Sequence, residues 1–260
     1  MKDNYLFTVT NINLIDKLKD NGIKNFVYPL SFFCVGIPKT FDVSDMKEEN
    51  SYIYVNRVLD TKSIDELDII LHKLPSNIKG IIFDDIGLIE VLKDVNIQKI
   101  LYLTHFNTNY ESINIWFDYV DDIIVSTDIT ESEIDEIISK SKKKISLFTF
   151  GLVPGMYSRR YLNTAYDKHY GLKEEKEKDL YIENEKFISI ENDYGTVIYH
   201  YPYYNALRLL KKDVHYHFFF PILLNDNEIL ELSNNNVSNI KFDEGFLDKK
   251  TIYKIKKWKE

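Results

Sequence analysis

The feature that most restricts the fold of this chain is a rhythm. Short runs rich in β-branched and aromatic residues recur as YLFTVT from residue 5, NFVYPL from 25, SYIYVN from 51, GIIFDD from 80, KILYLT from 99, DDIIVST from 121 and KISLFTFG from 144. Near-continuous apolar runs of this length read as strands buried on both faces. Between most of them lie stretches with apolar residues at helical spacing: SIDELDIILHKL (63–74), DIGLIEVLKDV (85–95) and TESEIDEIISKS (130–141). The last opens on Thr130 with Glu133 three residues on, a capping box that marks a helix start. Strand then helix, repeated along the chain, implies α/β architecture with a parallel sheet, and right-handed crossovers curl such a sheet into a βα (TIM-like) barrel, with an incomplete or distorted barrel also allowed. An open doubly wound sheet is the competing topology. At 260 residues the chain suits one barrel domain spanning 1–260.

After Gly151 the rhythm breaks. Residues 152–205 read as an insertion after the seventh strand: an irregular arm, a charged helix end (LKEEKEKD, 172–179), and a Tyr-rich β-hairpin over LYIENEKFISIENDYGTVIYHYPYY (180–204) that turns near Asn192 and Asp193. The run VHYHFFFPILL (214–224) supplies a last barrel strand and NDNEILELSNN (225–235) a closing helix, before a C-terminal segment over 240–260.

Hydrophobic residues at 44% and charged residues at 28% are enough to build a core and exclude a disordered chain. A single cysteine, Cys34, excludes an intrachain disulfide and a cysteine-ligated cluster within one chain, so no cofactor and a reducing cytoplasm are expected. The N-terminus lacks the basic, apolar and small-residue sequence of a secretory leader, so none is expected. The longest strongly apolar stretch, FFFPILL, is far shorter than the roughly 20 residues of a membrane helix. A net charge of -8 opposes nonspecific attraction to nucleic acid. The C-terminus runs the other way: Lys249, Lys250, Lys254, Lys256, Lys257 and Lys259 alternate with Tyr253 and Trp258, a mixture that can contact RNA or simply be a solvated terminus.

In a βα barrel, reactive groups sit at the C-terminal ends of the strands because those loops share one face. Strand placement therefore selects Thr8, Thr10, Asn56, Asp84, Asp85, Thr104, His105, Asn107, Asn109, Thr127 and Asp128, and beyond the seventh strand Tyr157, Ser158, Arg159 and Arg160. Asp84 and Asp85 can supply an acid or base if desolvated, or cap the following helix. His105 and Asp128 are of the right type for proton transfer. His215 and His217 alternate on a strand and share a side, as two ligands without a third or as an ordinary interior pair. No metal site is expected. The adjacent Arg159 and Arg160 suit a carboxylate or phosphate, or salt bridges to the acidic surplus. Ser158 lacks a G-x-S-x-G elbow.

The stretch FGLVPGMYSRRYLNTAYDKHYG (150–171) resembles a block of peptidase family U32, the collagenase-like peptidases, through Gly151, Pro154, Tyr157, Ser158, Arg159, Arg160, Leu162, Tyr166 and His169. YGTVIYHYPYY (194–204), GFLDKKTIYKIK (245–256), GIIFDDIGLIEVLKD and LTHFNTNY are similar to further segments of that family. The family's His-Gly at the end of the seventh strand stands here as Phe150-Gly151, and its Arg-Glu pair as Thr127-Asp128. The cysteines that bind an iron-sulfur cluster in many members are absent, with Tyr161 about where the first is expected. The resemblance implies a TIM-like barrel and a nominal peptidase or hydrolase binding an anionic or peptide-like ligand, which Arg159 and Arg160 would hold at the barrel mouth. It also leaves room for a cluster-free RNA-modification enzyme or accessory, and for a noncatalytic partner of a cluster-bearing paralogue.

Overall fold

The fold is seen in a computed structural model, which describes residues 2–249. The Lys-rich tail therefore lies outside the described residues beyond Lys249. Seven parallel strands follow one another: β1 (Tyr5–Thr8), β2 (Asn25–Pro29), β3 (Ser51–Val55), β4 (Ile78–Phe83), β5 (Gln98–Leu101), β6 (Asp122–Val125) and β7 (Ser146–Gly151). After an insertion that carries β8 to β12, the strand β13 (His217–Phe220) pairs in parallel with both β7 and β1 and closes the ring. The result is an eight-stranded parallel α/β barrel, and the open doubly wound alternative is excluded by that closure.

Strand side chains alternate between two faces, so every second residue points inward. In β3, β5, β7 and β13 this puts Tyr54, Phe148, Phe218 and Phe220 inside, with Tyr102 just beyond β5. Phe218 lies 5.6 Å from the Phe148 ring, 6.0 Å from Tyr54 and 6.1 Å from Tyr102. Bulky rings fill the barrel because one small residue yields: a Cβ at Gly80 would stand 2.9 Å from the Tyr52 ring. The floor is polar. Tyr52 and Tyr216 share a hydrogen bond of 3.0 Å, and buried Asp122 accepts from the Ser146 hydroxyl at 2.5 Å and meets His215 Nδ1 at 3.2 Å. His217, on the outward face, instead meets Thr149 at 3.0 Å, so the two histidines serve separate contacts.

β7 carries one extra residue, Thr149, because Phe218 pairs with Phe148 while Phe219 pairs with Phe150. The bulge reverses the alternation. Phe150, which stands in the place of the family's histidine, turns away from the mouth and stacks on Tyr203 at 5.6 Å.

The outer helices are α1 (Ile15–Asp20), α2 (Thr61–Leu71), α3 (Leu88–Val91), α4 (Tyr110–Trp116) and α5 (Glu131–Lys140), with α6 (Leu162–Tyr170) in the insertion and α7 (Asp226–Ser233) after β13. Several starts carry side-chain caps, among them Asp60 on Ser63 N–H and the boxes Thr130–Glu133 and Asn225–Glu228. The segment from 85 to 95, expected as one helix, is only the short α3 followed by a 3-10 turn over Leu92–Asp94. Between β2 and β3 the described backbone has no α-helix, only a 3-10 turn over Val43–Asp45.

The insertion is more regular than its sequence implies. The expected irregular arm contains strand β8 (Pro154–Ser158), and the last three residues of the expected charged helix end begin strand β9 (Glu177–Ile182). With β10 (Glu185–Asn192) and β11 (Gly195–His200) they form an antiparallel sheet in the order β8-β11-β10-β9. The hairpin turn does fall just after Asn192, where Asn192 pairs with Gly195. Both corrections have one cause: the backbone of these polar segments is satisfied by neighbouring strands, a pairing that local composition does not encode. Strands β12 (Tyr203–Asn205) and β14 (Phe242–Asp243) pair beside the end of β7.

Two buried carboxylates fix α6 to this sheet. Glu191 accepts from the backbone N–H groups of Asn163 and Thr164 at 2.8 and 3.2 Å, which caps the helix from a distant strand, and from Lys176 Nζ at 2.8 Å. Asp167 accepts from Lys178 Nζ at 2.5 Å and from Glu175 N–H at 2.9 Å. The sheet is seated over the barrel mouth. Tyr199 donates to the Gly36 carbonyl at 2.9 Å, Asn192 donates to the Cys34 carbonyl at 3.0 Å, and Val197 approaches so closely that a Cβ at Gly36 would stand 2.4 Å from its own Cβ. Among the described residues no helix is long and apolar enough to cross a membrane.

Candidate active site

Between the inserted sheet and the strand ends lies a cavity of about 150 Å³. Tyr54, Asn56, Asp84, Thr104 and His105 form its barrel wall, while Pro154 to Tyr157 and Val197 form the roof. Asp84 follows β4 directly and continues its inward alternation. Its Oδ1 is buried and has no hydrogen-bond partner. Burial, reinforced by the neighbouring Asp85 carboxylate, pushes its pKa up to about 7.

Asp85 has a different task. Its two oxygens accept from Leu59 N–H and Gly87 N–H, each at 2.9 Å, so it ties together the loops after β3 and β4. Across the cavity, His105 Nδ1 lies 2.9 Å from Asp128 Oδ2. The hydrogen bond that His105 donates to the Asp128 carboxylate raises the imidazole pKa against the opposing effect of partial burial, and the Pro154 and Gly155 carbonyls act in the same direction as Asp128. Asp84 and His105 thus share one small space, each displaced toward neutral or higher pH. Tyr54 contributes a fully buried phenol whose pKa burial drives well up.

The other candidates are placed as follows. Asn56 spends its amide on both backbone groups of Val35, at 2.9 and 3.1 Å, and so holds the loop under the inserted sheet. Asn109 caps α4 by accepting from Ser112 N–H at 3.0 Å and is exposed outside the cavity lining. Asn107 is buried at a left-handed φ of 63°. Tyr157 lines the roof and donates to the Tyr194 carbonyl at 3.4 Å. Ser158 accepts from Arg160 N–H at 3.2 Å in a tight turn. Arg159 and Arg160 are exposed at the far end of β8, outside the lining of this cavity, and Arg159 reaches Asp60 at 3.8 Å. β8 carries them past the cavity because the chain runs on from the roof as the edge strand of the inserted sheet. Sequence reasoning missed Tyr54, Val197 and the Pro154 to Met156 segment. Of these Tyr54 left a signal as an inward-parity polar aromatic on a strand, and Pro154 as part of the block that resembles the family.

An iron-sulfur cluster does not fit these residues. Cys34 is buried, its thiol donates to the Tyr54 carbonyl at 3.0 Å and burial drives its pKa up, all of which disfavour a thiolate ligand. Tyr161, where a first cysteine is expected, donates to the Asp193 carbonyl at 2.9 Å. Among the described residues no group of three or more His, Cys, Asp or Glu side chains gathers as a metal site.

The model of Peptidase family U32 matches residues 31–174, more than half of the chain. This chain belongs to peptidase family U32. The matched stretch takes in every residue lining the cavity except Val197. The U32 member is also similar to a solved structure, the U32 peptidase Mk0906, at 13% identity over 58% of this chain and 70% of that one, with a TM-score of 0.47. None of the curated proteins matches it.

Proposed function

We propose that this U32 member is a hydrolase-type acid–base enzyme acting on a peptide-like ligand, one polar group of which enters the small cavity. The observation that carries this reading is the Asp84 carboxyl, with Oδ1 buried and unpartnered and its pKa pushed up to about 7, on the wall it shares with His105, which Asp128 holds from behind. A carboxyl with that pKa exchanges protons efficiently near neutral pH. As carboxylate it takes a proton from a water that attacks the ligand's carbonyl carbon. As imidazolium, held in orientation by Asp128, His105 gives a proton to the departing amine as the carbon–nitrogen bond breaks. The roof formed by the inserted sheet covers Asp84, whose Oδ1 is buried, and so strengthens its effect, while His105 stays open to solvent at the rim.

A cavity of about 150 Å³ accepts a terminal group or a carbonyl, not a length of folded chain, so short peptides are the expected ligands. The test is hydrolysis of a mixed library of short peptides by the purified full chain, followed by mass spectrometry. Asp84→Asn and His105→Gln should each lower the rate by about 100-fold or more. Hydrolysis that persists unchanged in Asp84→Asn would remove the basis of this assignment.

A further inference from the structure

Outside the small cavity, on the same barrel face, a second and wider cleft of about 360 Å³ shares Asp84, Thr104 and His105 with it. Its remaining wall is mostly apolar. Val58 after β3, Ile86 after β4 and Phe106 after β5 are 47%, 55% and 70% exposed, with Leu103 beneath. Three large hydrophobic side chains on three successive loops, all presented to water beside the half-buried Asp84, form a patch with no role in the barrel core. They are also held in place. Asp85 joins the loops bearing Val58 and Ile86, and the loop bearing Phe106 is closed by Phe106 N–H donating to the Leu103 carbonyl at 2.6 Å, with Asn107 in the left-handed region next to it.

We infer that this cleft is a specificity subsite that receives an apolar side chain of the ligand, of leucine or phenylalanine type, next to the group that enters the inner cavity. The inference rests on the hydrolytic reading for what happens to the ligand, and on the cleft alone for what is bound. The shared wall is the argument for this occupant: a ligand whose reacting group meets Asp84 and His105 places its adjacent side chain among Val58, Ile86 and Phe106. Burial of that side chain against exposed apolar surface supplies the affinity that a small polar cavity lacks.

The test uses N-acetyl-leucinamide, N-acetyl-phenylalaninamide and N-acetyl-glycinamide as probes, titrated into the isotope-labelled full chain and followed by backbone amide resonances. The leucine and phenylalanine amides should shift Ile86, Thr104 and Phe106, and the glycine amide should not. Phe106→Ser, an exposed position that leaves the core intact, should weaken leucinamide binding by about tenfold, and Ile86→Ser should act in the same direction. Binding should persist in Asp84→Asn, where hydrolysis is lost. Equal response to the glycine amide, or leucinamide binding unaffected by both serine variants, would overturn the subsite. A solution dimer that Phe106→Ser dissociates would assign the cleft to a second copy and overturn it likewise. Leucinamide binding with no peptide hydrolysis in the native chain would support the subsite while defeating the hydrolytic reading.

Discussion

His105 Nδ1 stands 2.9 Å from Asp128 Oδ2, so the loops that follow the fifth and sixth barrel strands are joined at the mouth by an imidazole–carboxylate pair. The direction of the His105 shift follows from that contact. Asp128→Asn should lower the His105 pKa, read directly from the pH titration of its ring protons. Because the folded pKa is raised above the unfolded one, the stabilisation is complete below the unfolded value and is lost as pH rises through the folded value. Both side chains are nearly half exposed, so that contribution should not exceed about 0.5 kcal/mol.

Asp84 predicts a pH dependence of larger size. Its carboxyl titrates at about 7 in the folded chain against an ordinary 3.8, so between those values the folded state holds a proton that the unfolded state has released. Stability should fall as pH rises across that window and level off above it. Asp84→Asn removes the slope. At pH 8 the variant should be more stable than the native chain by about 2–4 kcal/mol, and near pH 4 the two should converge, as measured by urea denaturation at each pH.

Gly36 seats the inserted sheet on the barrel. It sits at φ 65°, and an added Cβ would fall 2.4 Å from Val197 Cβ. Gly36→Ala should cost about 2–4 kcal/mol, since it combines a strained backbone with a clash against a buried side chain. The cavity roof should loosen as well. Faster amide exchange at Val197 and Tyr199, relative to the barrel strands, is the accompanying observation.

Glu191 caps α6 through two backbone N–H groups while pairing with Lys176. Glu191→Gln keeps the size and loses the charge. A loss of about 2 kcal/mol is expected, visible as a lower melting temperature. Exchange protection should drop first at Asn163 and Thr164. Since Lys176 and Thr164 hold the Glu191 pKa below its ordinary value despite burial, native stability should decline as pH falls through the acid range, and the glutamine variant should show less of that decline.

The barrel strands were legible because short runs such as IIF or LFTF suit a strand buried on both faces, and their alternation with helical stretches points to a parallel sheet covered by helices. Caps such as Thr130–Glu133 were equally legible, since they are contacts between residues three apart. The same locality explains why Asp84, Asp85, His105 and Asp128 could be placed at strand ends from sequence order alone. Their separate tasks could not. Asp84 and Asp85 are adjacent and chemically identical, and only the inward parity of β4 and the loop carrying Leu59 make one a buried acid and the other a tie between loops. Arg159 and Arg160 suit a mouth site by sequence order, and only the pairing of Pro154 to Ser158 with Thr196 to Tyr199 sets them outside the small cavity, with Arg159 beside Asp60 after β3. The bulge at Thr149, which turns Phe150 outward, comes from register with β13, far along the chain. What the sequence determined by itself, then, is whatever neighbours within a turn or a strand dictate: alternating α/β class, strand positions and helix starts, while the closure of the sheet into a barrel came from β13 pairing with both β1 and β7. The tertiary structure decided the roof, the cavity and the division of labour among the carboxylates, because each of those depends on pairings between segments tens of residues apart, whose partners no local pattern encodes.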